Sequence, residues 1–125
     1  MTQEEKQLLV QDLCARLPYG IKFTLSNDSI YTMKGVDLIV TDEGDWEYAV
    51  TAKGIEPIEI EYIKPYLRPM SSMTEEESEE YKSIIESFIG FNIGEDTDWL
   101  NAHHFDYRGL IPMGLGIDCT GLNIY

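Results

Sequence analysis

Apolar residues recur at helical spacing over residues 2–17. Lys6, Leu9, Val10, Leu13, Cys14 and Leu17 fall on one stripe, with the Lys6 stem at its edge. Thr2 and Glu5 have the T-x-x-E form of a capping box, in which each side chain satisfies an orphan N–H near the other. Pro18 and Gly20 end the helix. On this stripe Cys14 is expected to act as a small hydrophobe.

From residue 21 to residue 63 the period drops to two. Ile21, Phe23 and Leu25 alternate with their neighbours, and so do Val36, Leu38 and Val40, then Trp46, Tyr48, Val50 and Ala52, then Ile58, Ile60 and Tyr62. A shorter run over residues 29–33 fits between the first two sets. Asn27-Asp28, Lys34-Gly35, Glu43-Gly44 and Lys53-Gly54 supply turn chemistry at the breaks. Five short strands joined by short turns predict an antiparallel meander with one buried face. A sheet this small either curls into an SH3-like barrel or stays open and strongly twisted.

Lys64-Pro65-Tyr66-Leu67-Arg68-Pro69 then leaves the sheet on this reading. Its two prolines remove ladder donors and disfavour helix before each, which predicts a rigid extended connector. Thr74 opens a second helix, with Glu77 completing another capping box and acids in the first turn. Tyr81, Ile84, Ile85, Phe88 and Ile89 form its stripe, and Gly90 ends it. A third, short helix is expected over residues 97–104, capped by Asp96 or Thr97. After Asp106 two alternatives stay open for residues 107–113, a helical turn or extended chain. Residues 115–119 and 122–125 suit short strands around Thr120-Gly121. The 125 residues thus read as one α+β domain with an N-terminal helix, a small five-stranded antiparallel sheet or SH3-like barrel, and C-terminal helices.

Charge narrows the partners. Nine Lys and Arg against 23 Asp and Glu leave a net charge of −14, which repels phosphate backbones and anionic membrane surfaces. No apolar run reaches the length of a membrane span, and the first residues lack the cationic and apolar regions of a secretory signal. Cys14 and Cys119 are therefore expected to stay reduced in a cytoplasmic protein.

Three strings carry a resemblance: KPYLRPMSSMTEEE (64–77), DWLNAHHFDYRGLI (98–111) and the opening MTQEEKQLL with DLCARLPYGIK (1–22). Together they resemble a family of short proteins encoded by gut anaerobes of the Bacteroides group and their phages. The strand region 23–63 and the tail after Ile111 depart from it. The resemblance implies a phage or mobile-element setting and one structural unit for the matching segments. It carries over no catalytic residue.

Candidate chemistry is sparse. His103, His104 and Asp106, with Asp96 and Asp98 nearby, offer imidazole and carboxylate ligands for a divalent metal, or a His104–Asp106 base and orienter. Against both, adjacent histidines on a helix point about 100° apart, and no H-E-x-x-H spacing is present. The alternative is a histidine packed on Trp99 or a tyrosine. Ser71 and Ser72 lack nucleophile-elbow glycines, and Cys119 has no basic neighbour in sequence. Glu75, Glu76, Glu77, Glu79 and Glu80 crowd one helix start, while Asp42, Glu43, Asp45 and Glu47 surround Trp46. These acids suit either a docking face for a basic partner, in the extreme a nucleic-acid mimic, or plain solvation. Trp46, Tyr48, Tyr62 and Tyr66, with Pro65 and Pro69, have the makings of a peptide groove, although core packing is the expected role for most of them.

The leading expectation is a non-enzymatic interaction or regulatory protein. It has an unidentified protein partner, no cofactor, no nucleic acid and no membrane, and it is a monomer or small homo-oligomer. Trp46, Tyr66, Glu75, Glu76, Glu79 and Glu80 are its interaction candidates. The alternative is a metal-dependent or His/Asp-based enzyme at His103, His104 and Asp106.

Overall fold

A computed structural model describes residues 1–25, 29–86 and 95–125. Helix α1 (Gln3–Arg16) starts where the sequence places its cap: Glu5 N donates to Thr2 Oγ1 at 3.1 Å, and Thr2 N donates to Glu5 Oε1 at 2.9 Å. Its buried face is rotated from the expected stripe. Leu9 and Leu13 are inside, but so are Asp12 and Arg16, while Cys14 is exposed. The inward turn of Asp12 and Arg16 follows from their partners, Arg108 and the Phe105 carbonyl, which lie far along the chain.

The strands are β1 (Lys22–Thr24), β2 (Tyr31–Val40), β3 (Trp46–Ala52), β4 (Ile55–Glu59), β5 (Lys64–Pro69), β6 (Phe105–Asp106) and β7 (Ile117–Asp118). Their order is β4-β3-β2-β1-β5-β6, with β7 also pairing β5. Pairing is antiparallel from β4 through to β5 and parallel between β5 and both β6 and β7. The sheet is therefore open and mixed, and corrects the expectation of five antiparallel strands or a closed barrel.

Three local features explain the difference. Lys34-Gly35 is a bulge inside one long β2 strand, not a turn: the register shifts between Met33 and Gly35. A Cβ at Gly35 would lie 3.0 Å from Thr51 Oγ1, so the partner strand closes on a bare backbone there. The tight turn at Gly54, with φ +86, starts β4 early, so residues 60–62 become a 3₁₀ turn. Pro57 is tolerated because β4 is an edge strand. Finally, residues 64–69 form β5 within the sheet and are not a connector. Pro65 and Pro69 sit near its two ends, whereas the mid-strand groups that make bonds are Arg68 N, which donates to His104 O at 2.8 Å, and Leu67 O, which accepts from Cys119 N at 2.9 Å.

Leu9 and Leu13 of α1 pack with Phe23, Val50, Ile63 and Leu67 in the main core. Helix α2 (Glu75–Glu86) begins with its expected box, Glu77 N to Thr74 Oγ1 at 3.1 Å and Thr74 N to Glu77 Oε1 at 3.0 Å. Its Tyr81 and Ile84 pack on a second cluster of Trp99, Leu100 and Phe105. Phe88, Ile89, Gly90 and the Asn27-Asp28 turn lie outside the described residues. Helix α3 (Glu95–Ala102) ends before the two histidines. Residues 107–116 run as turns, and only Ile117–Asp118 of the tail is strand. No helix among the described residues is long and apolar enough to cross a membrane.

Candidate functional site

The β2–β3 hairpin pairs Val36 with Val50, Leu38 with Tyr48 and Val40 with Trp46 on one face. Val50 is buried, but further out the same face enters water: Leu38 is 56% exposed, Val40 55%, Trp46 70% and Tyr48 38%. Tyr62, beyond β4, is 63% exposed. The expectation that Trp46, Tyr48 and Tyr62 fill the core is thereby corrected. The alternation is real, but the hairpin outgrows the layer that covers its base. The tip closes on its own bonds, Thr41 N to Asp45 O at 2.8 Å and Gly44 N to Thr41 O at 2.9 Å. Lys6 anchors the hairpin to α1 through Glu47 at 2.9 Å.

Acids flank the tip of this ladder. Asp42, Glu43 and Asp45 are exposed in the hairpin loop. Glu61, followed by Glu59 and Glu43, pushes the Tyr62 phenol above its usual range, so these carboxylates act in one field. Tyr66 is not part of it. It is 6% exposed on β5, separated from β3 by β2 and β1, so no groove forms between Tyr66 and Trp46.

The acids of α2 divide in role. Glu75, Glu76 and Glu79 are exposed. Glu80, also exposed, accepts from Trp99 Nε1 at 3.0 Å. Glu77 turns inward, where its carboxylate takes Arg68 Nη2 at 2.6 Å and Nη1 at 2.8 Å. That fork holds the Glu77 carboxyl down at about 2.

The histidine–aspartate cluster does not converge. His103 stacks on Trp99 with ring centres 4.1 Å apart, its Nδ1 3.6 Å from Glu77. His104, in the left-handed region with φ +65, stacks on Tyr125 at 3.6 Å. Burial, then the Arg16 charge, lowers its imidazole to about 4. Asp106 is engaged as a backbone cap, accepting from Leu110 N at 2.8 Å and Ile111 N at 2.9 Å. Among the described residues no group of three His, Cys, Asp or Glu side chains could hold a metal ion. Cys119 is buried, and burial pushes its thiol up.

Two features escaped the sequence reading. The first is the buried Asp12–Arg16–Arg108 cluster, whose only local sign is an i, i+4 acid–base pair that looks like any surface pair. The second is a cavity of about 480 Å³ where Arg68, the 102–104 turn and residues 119–125 meet. Its walls join residues 68–72 with the 102–104 turn through the β5–β6 pair, Arg68 opposite Phe105, a contact no single segment announces. No protein-family model, no curated protein and no solved structure matches this chain.

Proposed function

We propose that this chain is a non-enzymatic interaction module that docks a cationic segment of a partner protein on the β2–β3 hairpin. One observation carries the reading: the Leu38–Tyr48 and Val40–Trp46 rungs stand in water beside the exposed Asp42, Glu43 and Asp45 of the hairpin loop. Apolar rungs supply burial on contact, and an exposed tryptophan is a frequent anchor of such interfaces. The acidic rim chooses the partner. It repels a second copy of a chain with net charge −14, and it repels nucleic acid, whereas Lys and Arg side chains are attracted and their stems cover the aromatics. The resemblance of the three strings supports a phage or mobile-element setting, with the partner in a bacterial cytoplasm.

A short peptide alternating Arg with Leu tests this, against the same peptide with Glu for Arg. Trp46 emission moves to shorter wavelength as the Arg peptide binds, while the buried Trp99 gives a constant background. Followed by titration calorimetry, which does not depend on the tryptophan signal, binding weakens as salt rises and disappears in Trp46→Ser. An equal response to the Glu peptide, or unchanged binding by Trp46→Ser, overturns the reading.

A further inference from the structure

The cavity beside the His103–His104 turn owes nothing to the hairpin. Arg68 lines it, and that guanidinium is fixed before any ligand arrives. Its flat face lies 4.2 Å from the Phe105 ring centre, Glu77 closes its end-on edge, and the second Nη1 proton reaches the His103 carbonyl at 3.4 Å. An arginine carries five N–H donors. Those contacts leave the side edge, Nε and the second proton of Nη2, without a partner among the described residues. Among the described residues neither Glu77 nor any other Asp or Glu lines the cavity, in a chain with 23 acids.

Another part of the lining is flat and partly apolar. Tyr125 lies on the His104 ring, and its hydroxyl is held from both sides, accepting from Lys22 N at 2.8 Å and donating to Tyr66 O at 2.8 Å. Ile124 lines the same wall. His104 keeps its strained backbone under that stack, with Nδ1 buried and unpartnered among the described residues. The volume lies within the range of small-molecule sites, about 300–1,000 Å³.

We propose that this cavity binds a small organic carboxylate with a flat apolar body. The carboxylate takes the Nε/Nη2 edge of Arg68, and the body lies against Tyr125 and Ile124. A planar fork matches a carboxylate in two parallel bonds, and a guanidinium already held rigid loses little freedom on binding.

Benzoate is the probe, with benzamide as its neutral isostere and inorganic phosphate as a bare oxyanion. The full isotope-labelled chain is followed by NMR at the Arg68 Nε–H and Tyr125 ring resonances. Benzoate is expected to shift both saturably, with affinity at least about tenfold above that of benzamide. Arg68→Lys keeps the charge but removes the fork, and is expected to lose that preference. Because Arg68 also holds Glu77, a second variant leaves the pair in place: Ala102→Phe fills the cavity from an exposed wall position and abolishes the shifts with the fold intact. Benzamide matching benzoate, phosphate acting where benzoate does not, the lack of any saturable shift, or a folded Ala102→Phe that binds as before, each overturns the assignment.

Discussion

The two ends of the sheet break the usual sorting of side chains in opposite directions. Where α1 meets β6, charge is inside: Asp12 and Arg16 are fully buried and Arg108 is partly buried. At the tip of β2–β3, apolar groups are outside. The difference lies in compensation. Asp12 accepts from Arg16 Nε at 2.9 Å and Arg108 Nη1 at 2.7 Å, and Arg16 Nη2 reaches the Phe105 carbonyl at 2.6 Å. The Tyr107 ring also lies 5.4 Å from one guanidinium and 4.5 Å from the other. The hairpin rungs have only each other. A buried reversal whose carboxylate is paired with both guanidinium groups serves the fold even though Arg16 Nη1 is left without a partner among the described residues, whereas the exposed reversal contributes little burial to the fold.

The largest expected effect comes from breaking the compensated end. Asp12→Ala leaves two guanidinium groups at a buried position with no counter-charge. It should cost about 3–5 kcal/mol in chemical denaturation, enough to unfold a marginal domain at physiological temperature. Asp12→Asn keeps the acceptor oxygen without the charge and should lose clearly less. If both variants cost the same small amount, the cluster is not compensated charge and the contrast with the hairpin fails.

Acid loosens the same end next. His104, held near 4 against an ordinary 6.5, stays neutral in the fold while the unfolded chain takes a proton. Its contribution is therefore complete above pH 6.5 and declines as pH falls to about 4, a loss of up to about 3 kcal/mol. Glu77, lowered from 4.5 to about 2, contributes above pH 4.5 and declines below it. Denaturation midpoints against pH should thus fall in two limbs. His104→Asn, which accepts the left-handed backbone, should flatten only the upper limb. A His104 imidazole that titrates near 6.5 by NMR removes the first limb.

How far the sequence discloses this depends on whether a feature is local. Both capping boxes, the Glu43-Gly44 and Lys53-Gly54 turns and the β3 alternation are local, and they stand where the pattern puts them. β5 was hidden because its partners β1, β6 and β7 come from distant segments, so proline chemistry alone argued for a connector. Alternation marked Trp46 and Leu38 correctly as one face. It carries no information on where the covering layer stops, so their exposure was not legible. The cavity needs Arg68, His104 and Tyr125 together, three residues whose separations in sequence give no motif.

A smaller effect links the regions. Thr74→Ala removes the α2 cap, whose hydroxyl accepts from Glu77 N, at a cost of about 1 kcal/mol. Because Glu77 also grips Arg68, the same change should loosen the Arg68 side chain and broaden its Nε–H resonance. Ser in place of Thr74 restores the cap. An unchanged Arg68 resonance in Thr74→Ala would mean that the fork alone places Glu77.

The smallest effect on stability is the most informative about function. Leu38→Ser and Trp46→Ser remove apolar surface that folding leaves in water, so each should change stability by no more than about 0.5 kcal/mol. Val50→Ser, one rung inward of Leu38 and two inward of Trp46 on the same face, is fully buried and should cost several times as much. A denaturation series along that one ladder therefore finds the position at which the core ends. A steep cost at Leu38 or Trp46 would mean that those side chains support the fold. A flat profile beyond Val36 leaves their burial to be completed by a partner, because a surface that adds nothing to folding and invites aggregation is retained at a cost unless another molecule covers it.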